Sequence, residues 1–402
     1  MIQTPNVIGQ DHDSELLEAV PSSPTVLSFR SLSLHCFRNY ISSRIEVTPA
    51  PVVLTGRNGA GKTNILEAIS LFTPGRGLRK AKLGTLDNIH QNTSWAVAAT
   101  VYGMSGIRQI GTGRDPQFEA GQSDKRIVKI DGKVMRSQSE LSRHMSVVWL
   151  TPQMEQLFQD GASAGRKFLD RLAQSFDADH ASRINKYEHA MRERNRLLQH
   201  GGQDKIWLDA LEQTMAEMGA AIAEVRLQTV SSINHAASLS KLSFPKAQMS
   251  ISGFIEDRLQ AGQPAIEIED EFREILAQNR GQDMAAGRAL IGAHRSELKV
   301  IHVEKQMPAE SCSTGEQKAV LLSIILAQAK AAALWKGIVP IVLLDEVIAH
   351  LDGTRKLELF EEICQIGAQI WMTGVDADLF ADLQGKASFL KVENGTILND
   401  KN

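Results

Sequence analysis

The chain has 402 residues, of which 43% are hydrophobic and 23% charged, and its formal net charge is -3. This composition is typical of a soluble globular protein with one large core or two ordinary ones. The slight acidity argues against a protein that finds nucleic acid through a global positive field, although a local basic face stays possible. Cys36, Cys312 and Cys364 lie far apart without C-x-x-C pairing, so neither a zinc site nor a disulfide framework is indicated, and a cytoplasmic setting is expected.

The first part of the chain, residues 1–24, carries little apolar material and is predicted to be a flexible arm that precedes the fold. We expect neither export nor membrane insertion, because no apolar run reaches the roughly 18 to 20 residues that span a bilayer and the amino terminus is acidic. From Thr25 to Val53 short alternating runs predict strands.

A phosphate-binding motif follows the apolar run from Pro51 to Thr55, which predicts a buried strand. The next eight residues fit the pattern G-x-x-x-x-G-K-[ST], and the run from Asn64 to Ile69 has helical spacing. In this context Lys62 can reach the β- and γ-phosphates of a nucleotide and Thr63 can hold magnesium. The alternative is a tight turn between strand and helix. The predicted nucleotide-binding residues here are Gly56, Arg57, Asn58, Gly59, Ala60, Gly61, Lys62, Thr63 and Asn64.

In the middle of the chain the predicted secondary structure changes from β-strand to helix. Three β-like runs between Trp95 and Val134 predict a β-rich flank with a hairpin turn at Asp131-Gly132, and Val147 to Leu150 predicts a buried strand. From about residue 166 to 240 the composition is helical, and the interruption at residues 201–204 predicts an antiparallel helical hairpin. A short β segment around 251–255 and a helix around 268–279 complete this region.

An α/β pattern returns from Ala289 onward, with a helix from Thr314 to about Trp335, a strand over 341–344, a helix over 354–366 and a strand over 369–372. We therefore predict an α/β nucleotide-binding head whose halves are residues 25–162 and 283–402. A helical second lobe, residues 163–282, splits the head.

The strand Ile341 to Leu344 ends in two carboxylates. In that position Asp345 can lie beside magnesium and Glu346 can orient or deprotonate an attacking water, although apolar strands that end in an acid are also common. Upstream, a Ser-x-Gly-x-Gln cluster from Ser313 to Gln317 opens the long helix. It can also be an ordinary helix cap, and both interpretations can hold together.

Basic residues are concentrated in two places. Arg76, Arg79, Lys80 and Lys82 follow the phosphate-loop helix, and the first arm of the hairpin carries Arg183, Lys186, His189, Arg192, Arg194, Arg196 and His200. His189, Arg192, Arg196 and His200 recur at three- and four-residue spacing, so they share one helix face that could follow DNA phosphates. A solvated helix surface is the alternative. Aromatic interleaving is absent from the sequence here, which favours duplex backbone over single strands.

These motifs together resemble the ABC-type ATPases of chromosome maintenance, and within that group the RecF family. The phosphate loop, the Ser-Thr-Gly-Glu-Gln-Lys segment and the Leu-Leu-Asp-Glu strand end indicate the larger group. Four further stretches resemble RecF proteins, and they are 165–170, 186–188, 194–198 and 292–298. The resemblance covers about Val26 to Lys391.

The resemblance implies a role for each motif. Lys62, Asp345 and Glu346 would be the catalytic residues, with Thr63 and Asp345 as magnesium ligands. Ser313, Gly315 and Gln317 would form the signature motif that contacts ATP across a dimer, and Asp352 matches the D-loop. Gln153 falls where the superfamily places its Q-loop, with an ordinary polar loop residue as the alternative. The switch histidine of the superfamily is missing, so Thr373 or Asp376 would sense the γ-phosphate.

The function that the resemblance implies is a weak ATPase that uses ATP and Mg²⁺ and forms a homodimer on duplex DNA at gaps. It would help to direct RecA loading in recombinational repair, replication restart and the SOS response, with RecR and RecO as partners. DNA contacts would come from Arg192, Arg196, Arg79 and Lys80. An architectural chromosome-maintenance ATPase and a transporter ATPase subunit are the alternatives. The latter is disfavoured because a long insertion separates the phosphate loop from the signature.

Overall fold

The computed structural model describes residues 23–91, 93–116, 125–201, 204–240, 245–348 and 351–399. The predicted arm at 1–24 thus lies almost wholly outside the described residues. The strands are β1 (Thr25–Val26), β2 (Ser28–Phe37), β3 (Tyr40–Glu46), β4 (Val52–Thr55), β5 (Ala96–Gly103), β6 (Gly106–Arg114), β7 (Arg126–Ile130), β8 (Lys133–Val134), β9 (Val147–Leu150), β10 (Ala247–Ser252), β11 (Glu297–His302), β12 (Met307–Pro308), β13 (Ile338–Val339), β14 (Ile341–Leu344), β15 (Ile370–Thr373), β16 (Ser388–Glu393) and β17 (Thr396–Asn399).

The α-helices are α1 (Lys62–Ser70), α2 (Ala162–Ala173), α3 (His180–Gln199), α4 (Lys205–Ser238), α5 (Phe254–Gln260), α6 (Ala265–Gln278), α7 (Arg280–Ala286), α8 (Thr314–Lys336) and α9 (Gly353–Ile366). Short 3-10 turns connect several of them. The strand predicted at Val147 to Leu150, the strand predicted at 341–344 and the long helix that begins at Thr314 are confirmed.

The central layer is a six-stranded sheet in the order β17-β16-β4-β15-β14-β9. All neighbouring strands in it are parallel except β17, which pairs antiparallel with β16 at one edge. The carboxyl ends of β4, β15 and β14 therefore meet at one edge of the sheet, which is where open α/β sheets bind their ligands. The phosphate loop follows β4, Thr373 is the last residue of β15, and Asp345 follows β14.

Both faces of this sheet are buried. Alternate residues of a strand point to opposite faces, and every residue of β4, β9, β14 and β15 is buried. Val53, Val148 and Val342 pack into a core with α2, α4, α8 and α9. Leu54 and Trp371 pack on the other side, where α1 and the inner face of a second sheet cover them. This second sheet is antiparallel, in the order β3-β2-β5-β6-β7-β8, and it is the β-rich flank that the sequence predicts. Its β7–β8 hairpin turns at Asp131 and Gly132 (φ 47° and 79°).

The second lobe is built on α3 and α4, which pack as the predicted helical hairpin, with α5, α6 and α7 against them. Gly202 and Gln203, part of the predicted turn, lie outside the described residues. A separate core fills the lobe and includes Tyr187, Met215 and Phe272. The sequence placed a strand at 251–255, and this is wrong in part: β10 pairs with β11 from Ala247 to Ser252, and α5 begins at Phe254.

Helix α8 is long and apolar enough, by length and composition alone, to cross a membrane, but 67% of the stretch is buried inside the protein. It belongs to the core on one face of the central sheet, together with α4 and β9. Its apolar character is therefore that of a core helix. The mixed α/β fold with a β-rich flank and an inserted helical lobe is confirmed, while the domain boundaries at 24, 162 and 282 stay predictions.

Candidate nucleotide site

The phosphate loop runs from the end of β4 to the start of α1. Two of its glycines adopt backbone conformations that other residues avoid, with φ 140° at Gly56 and 116° at Gly61. Neither position has room for a side chain. A Cβ atom would lie 2.2 Å from the carbonyl oxygen of Val392 at Gly56 and 2.5 Å from Nδ2 of Asn39 at Gly61. The glycines at both positions are thus required by packing as well as by φ.

Side chains from the turn between β2 and β3 hold the loop in place. Asn39 Nδ2 donates to the carbonyl oxygen of Ala60 at 2.9 Å, and the Tyr40 hydroxyl donates to that of Gly61 at 3.0 Å. Asn64 Nδ2 in turn donates to Asn39 Oδ1 at 2.8 Å. Sequence reasoning missed Asn39 and Tyr40, because they precede the loop by about twenty residues and no motif spacing connects them to it.

Lys62 lies beneath the loop and is only 4% exposed. Its ammonium group donates to two loop carbonyls, those of Gly56 at 2.6 Å and Arg57 at 3.0 Å. Burial lowers the pKa of Lys62, and the charges of Glu346 and Asp345 oppose that shift. The described structure shows no ion pair with an acid for this lysine. It is therefore a desolvated cation beside the helix N-terminus, where an anion is stabilised.

Asp345 follows β14 and is 6% exposed. Its Oδ1 accepts hydrogen bonds from the hydroxyls of Thr63 at 3.0 Å and Thr373 at 2.8 Å. Burial, with the nearby charge of Glu346, raises the pKa of Asp345. Within the part of the chain that the structure describes, no lysine or arginine forms an ion pair with it. A buried carboxylate beside a threonine hydroxyl is the hard oxygen set that Mg²⁺ prefers, so these residues fit the predicted metal.

Glu346 has an unusual backbone, with φ 54°, in the left-handed region that non-glycine residues seldom occupy. Its N–H donates to Oγ1 of Thr373 at 2.9 Å, so one hydroxyl bonds both acidic residues. Such strain persists where the surroundings fix it, often at functional sites. Of the two proposed sensors, Thr373 lies in this cluster, whereas the Asp376 carboxylate is exposed and accepts from the N–H of Asp378 at 3.3 Å. Sequence reasoning missed this positioning contact of Thr373.

Gln153 is exposed in the 3-10 turn Pro152–Phe158 that follows β9. The same turn carries Glu155, whose carboxylate lies 3.0 Å from Nζ of Lys318. This ion pair connects the turn to the first part of α8. The structure thereby places the predicted Q-loop beside the signature helix, and the role of Gln153 itself stays a prediction.

The signature segment caps α8. Ser313 is the N-cap residue, and its N–H donates to Oε2 of Glu316 at 3.1 Å. Lys305 binds the other oxygen of Glu316 at 2.5 Å, and these contacts lower the pKa of Glu316 to about 2. The helix-cap interpretation is therefore correct, and it leaves Ser313 and Gly315 exposed.

Of two further predicted ATP-contacting residues, Gln317 is buried and Asp352 is exposed. Gln317 is only 2% exposed, and its amide donates to the carbonyl oxygens of Glu310 at 3.2 Å and Cys312 at 3.1 Å. It holds the signature segment from inside, so the exposed residues of the segment are the ones that can contact a ligand. Asp352 is exposed and caps α9 by accepting from the N–H of Arg355 at 2.9 Å.

The predicted basic face of α3 is exposed. Arg192 and Arg196 have side chains 63% and 69% exposed, and each lies near an acid of the same helix, Glu188 at 3.5 Å and Glu193 at 4.0 Å. Arg194 does not belong to this surface: it is fully buried and paired with two acids. Near the phosphate loop, Arg79 contacts Asn64 and Glu67, and Lys80 is exposed.

Comparison with known proteins agrees with this geometry. The family described as RecF/RecN/SMC N terminal domain matches residues 28–397. A DNA replication and repair protein RecF of Mesorhizobium japonicum is 45% identical over 379 residues, which cover 93% of this chain and 98% of that protein. The RecF of Brucella suis is 43% identical and covers 95% of this chain and 99% of its own length.

Solved structures show the same fold. One of the recombination mediator protein RecF-ATP in the RecFOR pathway superposes with a TM-score of 0.81 at 21% identity, covering 95% of this chain and all of its own. The Smc head domain of Pyrococcus furiosus matches with a TM-score of 0.53 at 15% identity, over 93% of this chain and 96% of its own. The predicted ABC-type head is thus confirmed.

Proposed function

The chain belongs to the RecF family of DNA replication and repair proteins, and from this premise we propose that it is a cytoplasmic, weak ATPase that dimerises around ATP on duplex DNA. The observation that carries the proposal is the Asp345 carboxylate, buried between the hydroxyls of Thr63 and Thr373 beside a desolvated Lys62. A buried acid and a buried cation without an ion pair are costly unless a ligand compensates both.

ATP would bind with its phosphates on the backbone N–H groups of residues 56–64. Lys62 would exchange its carbonyl contacts for the β- and γ-phosphates, a stronger charge-assisted interaction. Thr63 and Asp345 would hold Mg²⁺, which neutralises charge that develops on the phosphates. Asn39 and Tyr40 keep the loop in position through its carbonyls.

Hydrolysis requires a base near the attacking water, and Glu346 is the half-buried carboxylate at this edge. It would take the proton of a water whose oxygen bonds to the γ-phosphorus, while the bond to the ADP oxygen breaks. The bond from its backbone to Thr373 fixes the direction in which its side chain leaves the strand. ADP and phosphate are the products.

The second half of the site would come from a second copy. Ser313 and Gly315 are exposed at the start of α8, where helix N-terminal amides favour an anion, and Asp352 is exposed at the start of α9. These residues would contact the ATP that the partner's phosphate loop holds. The capping box and Lys305 keep the segment folded before the second copy arrives.

The biological role would follow the family: recognition of duplex at gaps in DNA, with RecR and RecO as partners, to direct RecA loading in recombinational repair and replication restart. Arg192, Arg196, Arg79 and Lys80 are the DNA contacts proposed from the sequence. Their exposure is compatible with backbone contacts, which position a protein on DNA without reading bases.

Sedimentation tests the proposal directly. Wild-type protein should be monomeric alone, dimeric with ATP and Mg²⁺, and bound to a gapped duplex in the presence of ATP. Ser313→Arg should still bind ATP, because its own phosphate loop is unchanged, but should stay monomeric. A wild-type protein that neither binds ATP nor dimerises, or a Ser313→Arg protein that dimerises normally with ATP, would show that the composite site is wrong.

A further inference from the structure

A groove of ≈ 680 Å³ lies between the β7–β8 hairpin, the segment after α1 and the first turns of α3. It shares no residue with the nucleotide site. Among the described residues that line it there is no acid, whereas Lys125, Arg126 and Arg136 are basic. Its other polar residues are hydroxyl or amide groups, such as Ser137 and Ser139, which can donate hydrogen bonds to an anion.

Arg126 is a buried cation in this groove, only 6% exposed. Its guanidinium donates to the hydroxyl of Thr112 at 2.7 Å, to the carbonyl oxygens of Gly75 at 2.7 Å and Leu71, and to Gln138 Oε1 at 3.2 Å. None of the acceptors that the structure describes is a carboxylate. Burial lowers the pKa of Arg126 to about 10, so the group stays charged at neutral pH.

A buried charge without a counter-ion is costly, and its field extends into the nearest open space. Here that space is the groove. Lys125 and Arg136 are exposed at its border and add to the same field. Ala181 and Ser182, which also line it, belong to the first turn of the 20-residue helix α3, whose N-terminal amides contribute partial positive charge.

Several described acids near the groove are paired with arginines, among them Asp131 in the β7–β8 hairpin, which lies 2.7 Å from Arg108. Asp179, the N-cap of α3, lies 3.6 Å from Arg143, which also pairs with Glu140 at 3.3 Å. Asp177 pairs with Arg183. The charge of each of these described carboxylates is thus offset in part by an arginine outside the groove lining.

We propose that this groove binds the phosphate backbone of duplex DNA and contributes more to DNA affinity than the exposed face of α3. The proposal rests on the proposed DNA-binding function and names a surface for it. Arg192 and Arg196 each have an acid of their own helix within 4.0 Å, so that face carries little net charge. The described residues that line the groove include three basic residues and no acid. Lys129 and Lys133 are exposed on the same hairpin, whose Asp131 is paired with Arg108.

The volume of the groove lies within the range of about 300 to 1,000 Å³ that is usual for compact ligands. It therefore fits a short stretch of one strand's backbone, while the rest of the duplex would lie outside it. Contacts of this kind carry no base specificity and depend strongly on salt.

The test is the affinity of the full-length protein, with ATP, for a gapped duplex at several salt concentrations. The groove variant combines Lys125→Gln with Arg136→Gln, both exposed positions. We expect its affinity at low salt to fall on the order of tenfold or more, and the slope of log K against log salt to decrease by up to about 1.8, or 0.9 for each lost phosphate contact.

A matched control removes the same charge elsewhere by combining Lys299→Gln with Lys336→Gln, two exposed lysines remote in sequence from the hairpin. It should keep wild-type affinity and slope. Wild-type values in the groove variant, or an equal loss in the control, would overturn the assignment of the groove while leaving the proposed function intact. A wild-type protein without salt-dependent duplex binding would overturn the proposed function and this inference together.

Discussion

Asp345 at the proposed nucleotide site and Asp170 in the second lobe are both largely buried aspartates, yet their pKa values shift in opposite directions. Burial raises the pKa of Asp345, whose carboxylate accepts hydrogen bonds from the hydroxyls of Thr63 and Thr373. Burial also acts to raise the pKa of Asp170, but the hydrogen bond from His180 and the charge of Arg226 outweigh it and hold the pKa below its usual value. Arg226 and His180 therefore offset the negative charge of Asp170, whereas the described residues give Asp345 hydroxyl donors but no ion-pair partner.

The contrast extends to the neighbours of both residues. Arg226 binds Asp170 through two hydrogen bonds of 2.8 and 2.9 Å and donates to the carbonyl oxygen of Ala293, so it joins α4 to α2 and to the segment before β11. Arg194 is paired equally fully with Glu212 and Asp283. In the second lobe the buried charges hold helices together. At the proposed nucleotide site Lys62 and Asp345 have no ion-pair partner among the described residues, so the two regions should respond differently to mutation.

Lys62→Ala should have the largest effect on binding. Because it removes the buried cation beneath the loop, we expect ATP-driven dimerisation to be abolished. The free energy of unfolding should change little, since the hydrogen bonds lost are those to the carbonyls of Gly56 and Arg57. Calorimetry gives the ATP affinity and chemical denaturation gives the stability. Unchanged ATP affinity would contradict the assignment of the site. Loss of folding would show that Lys62 stabilises the structure, as Arg194 and Arg226 are expected to do.

Glu346→Gln separates chemistry from binding at the same edge. The amide keeps the shape of the side chain but cannot accept the proton of water, so turnover should fall by about 10² to 10⁴, the usual contribution of a general base. ATP binding and the ATP dimer should persist. Steady-state phosphate release, together with sedimentation, measures both. Wild-type turnover would show that another group activates water.

Arg194→Met tests the compensated region. Its removal leaves Glu212 and Asp283 buried without this partner, so we expect a loss of about 3 to 5 kcal/mol in the free energy of unfolding. Protein that remains folded should bind ATP normally. Arg273→Met is the control on the same lobe, because its partner Asp270 is exposed and such pairs contribute about 0 to 1 kcal/mol. Equal losses of stability in the two variants would show that the buried ion pairs of Arg194 stabilise the fold no more than the exposed pair of Arg273.

The smallest effect is expected at the exposed face of α3. Neutralising Arg192 and Arg196 together should lower duplex affinity only a few-fold. The slope of log K against log salt should decrease by less than about 1.8, the value for two full phosphate contacts at about 0.9 each. The reason is that Glu188 and Glu193 already offset part of their charge. Fluorescence titration at several salt concentrations measures both values. A loss larger than that of the groove variant would make α3 the main DNA surface.

The sequence predicts those parts of the fold and site that are local. Strands such as Val147–Leu150 and the helix that begins at Thr314 follow from apolar spacing, and the phosphate loop and the Asp345-Glu346 pair follow from motifs. The contacts of Asn39 and Thr373 could not be predicted, because they join segments that are distant in the chain. In the sequence Arg194 belongs to a run of basic residues. Its pairing with Glu212 and Asp283 could not be predicted, because it depends on the packing of α4 and α7 against α3.

The strand order of the central sheet has a consequence for biosynthesis. β4 lies between β15 and β16, and β9 is the edge strand beside β14 in the described sheet, so each of these early strands neighbours strands that come more than 180 residues later. A ribosome releases the chain from its amino terminus, and the phosphate loop therefore emerges long before the strands that flank it. The second lobe, with a core of its own, can be complete by then. The central sheet can be completed only after β14, β15 and β16 have been synthesised.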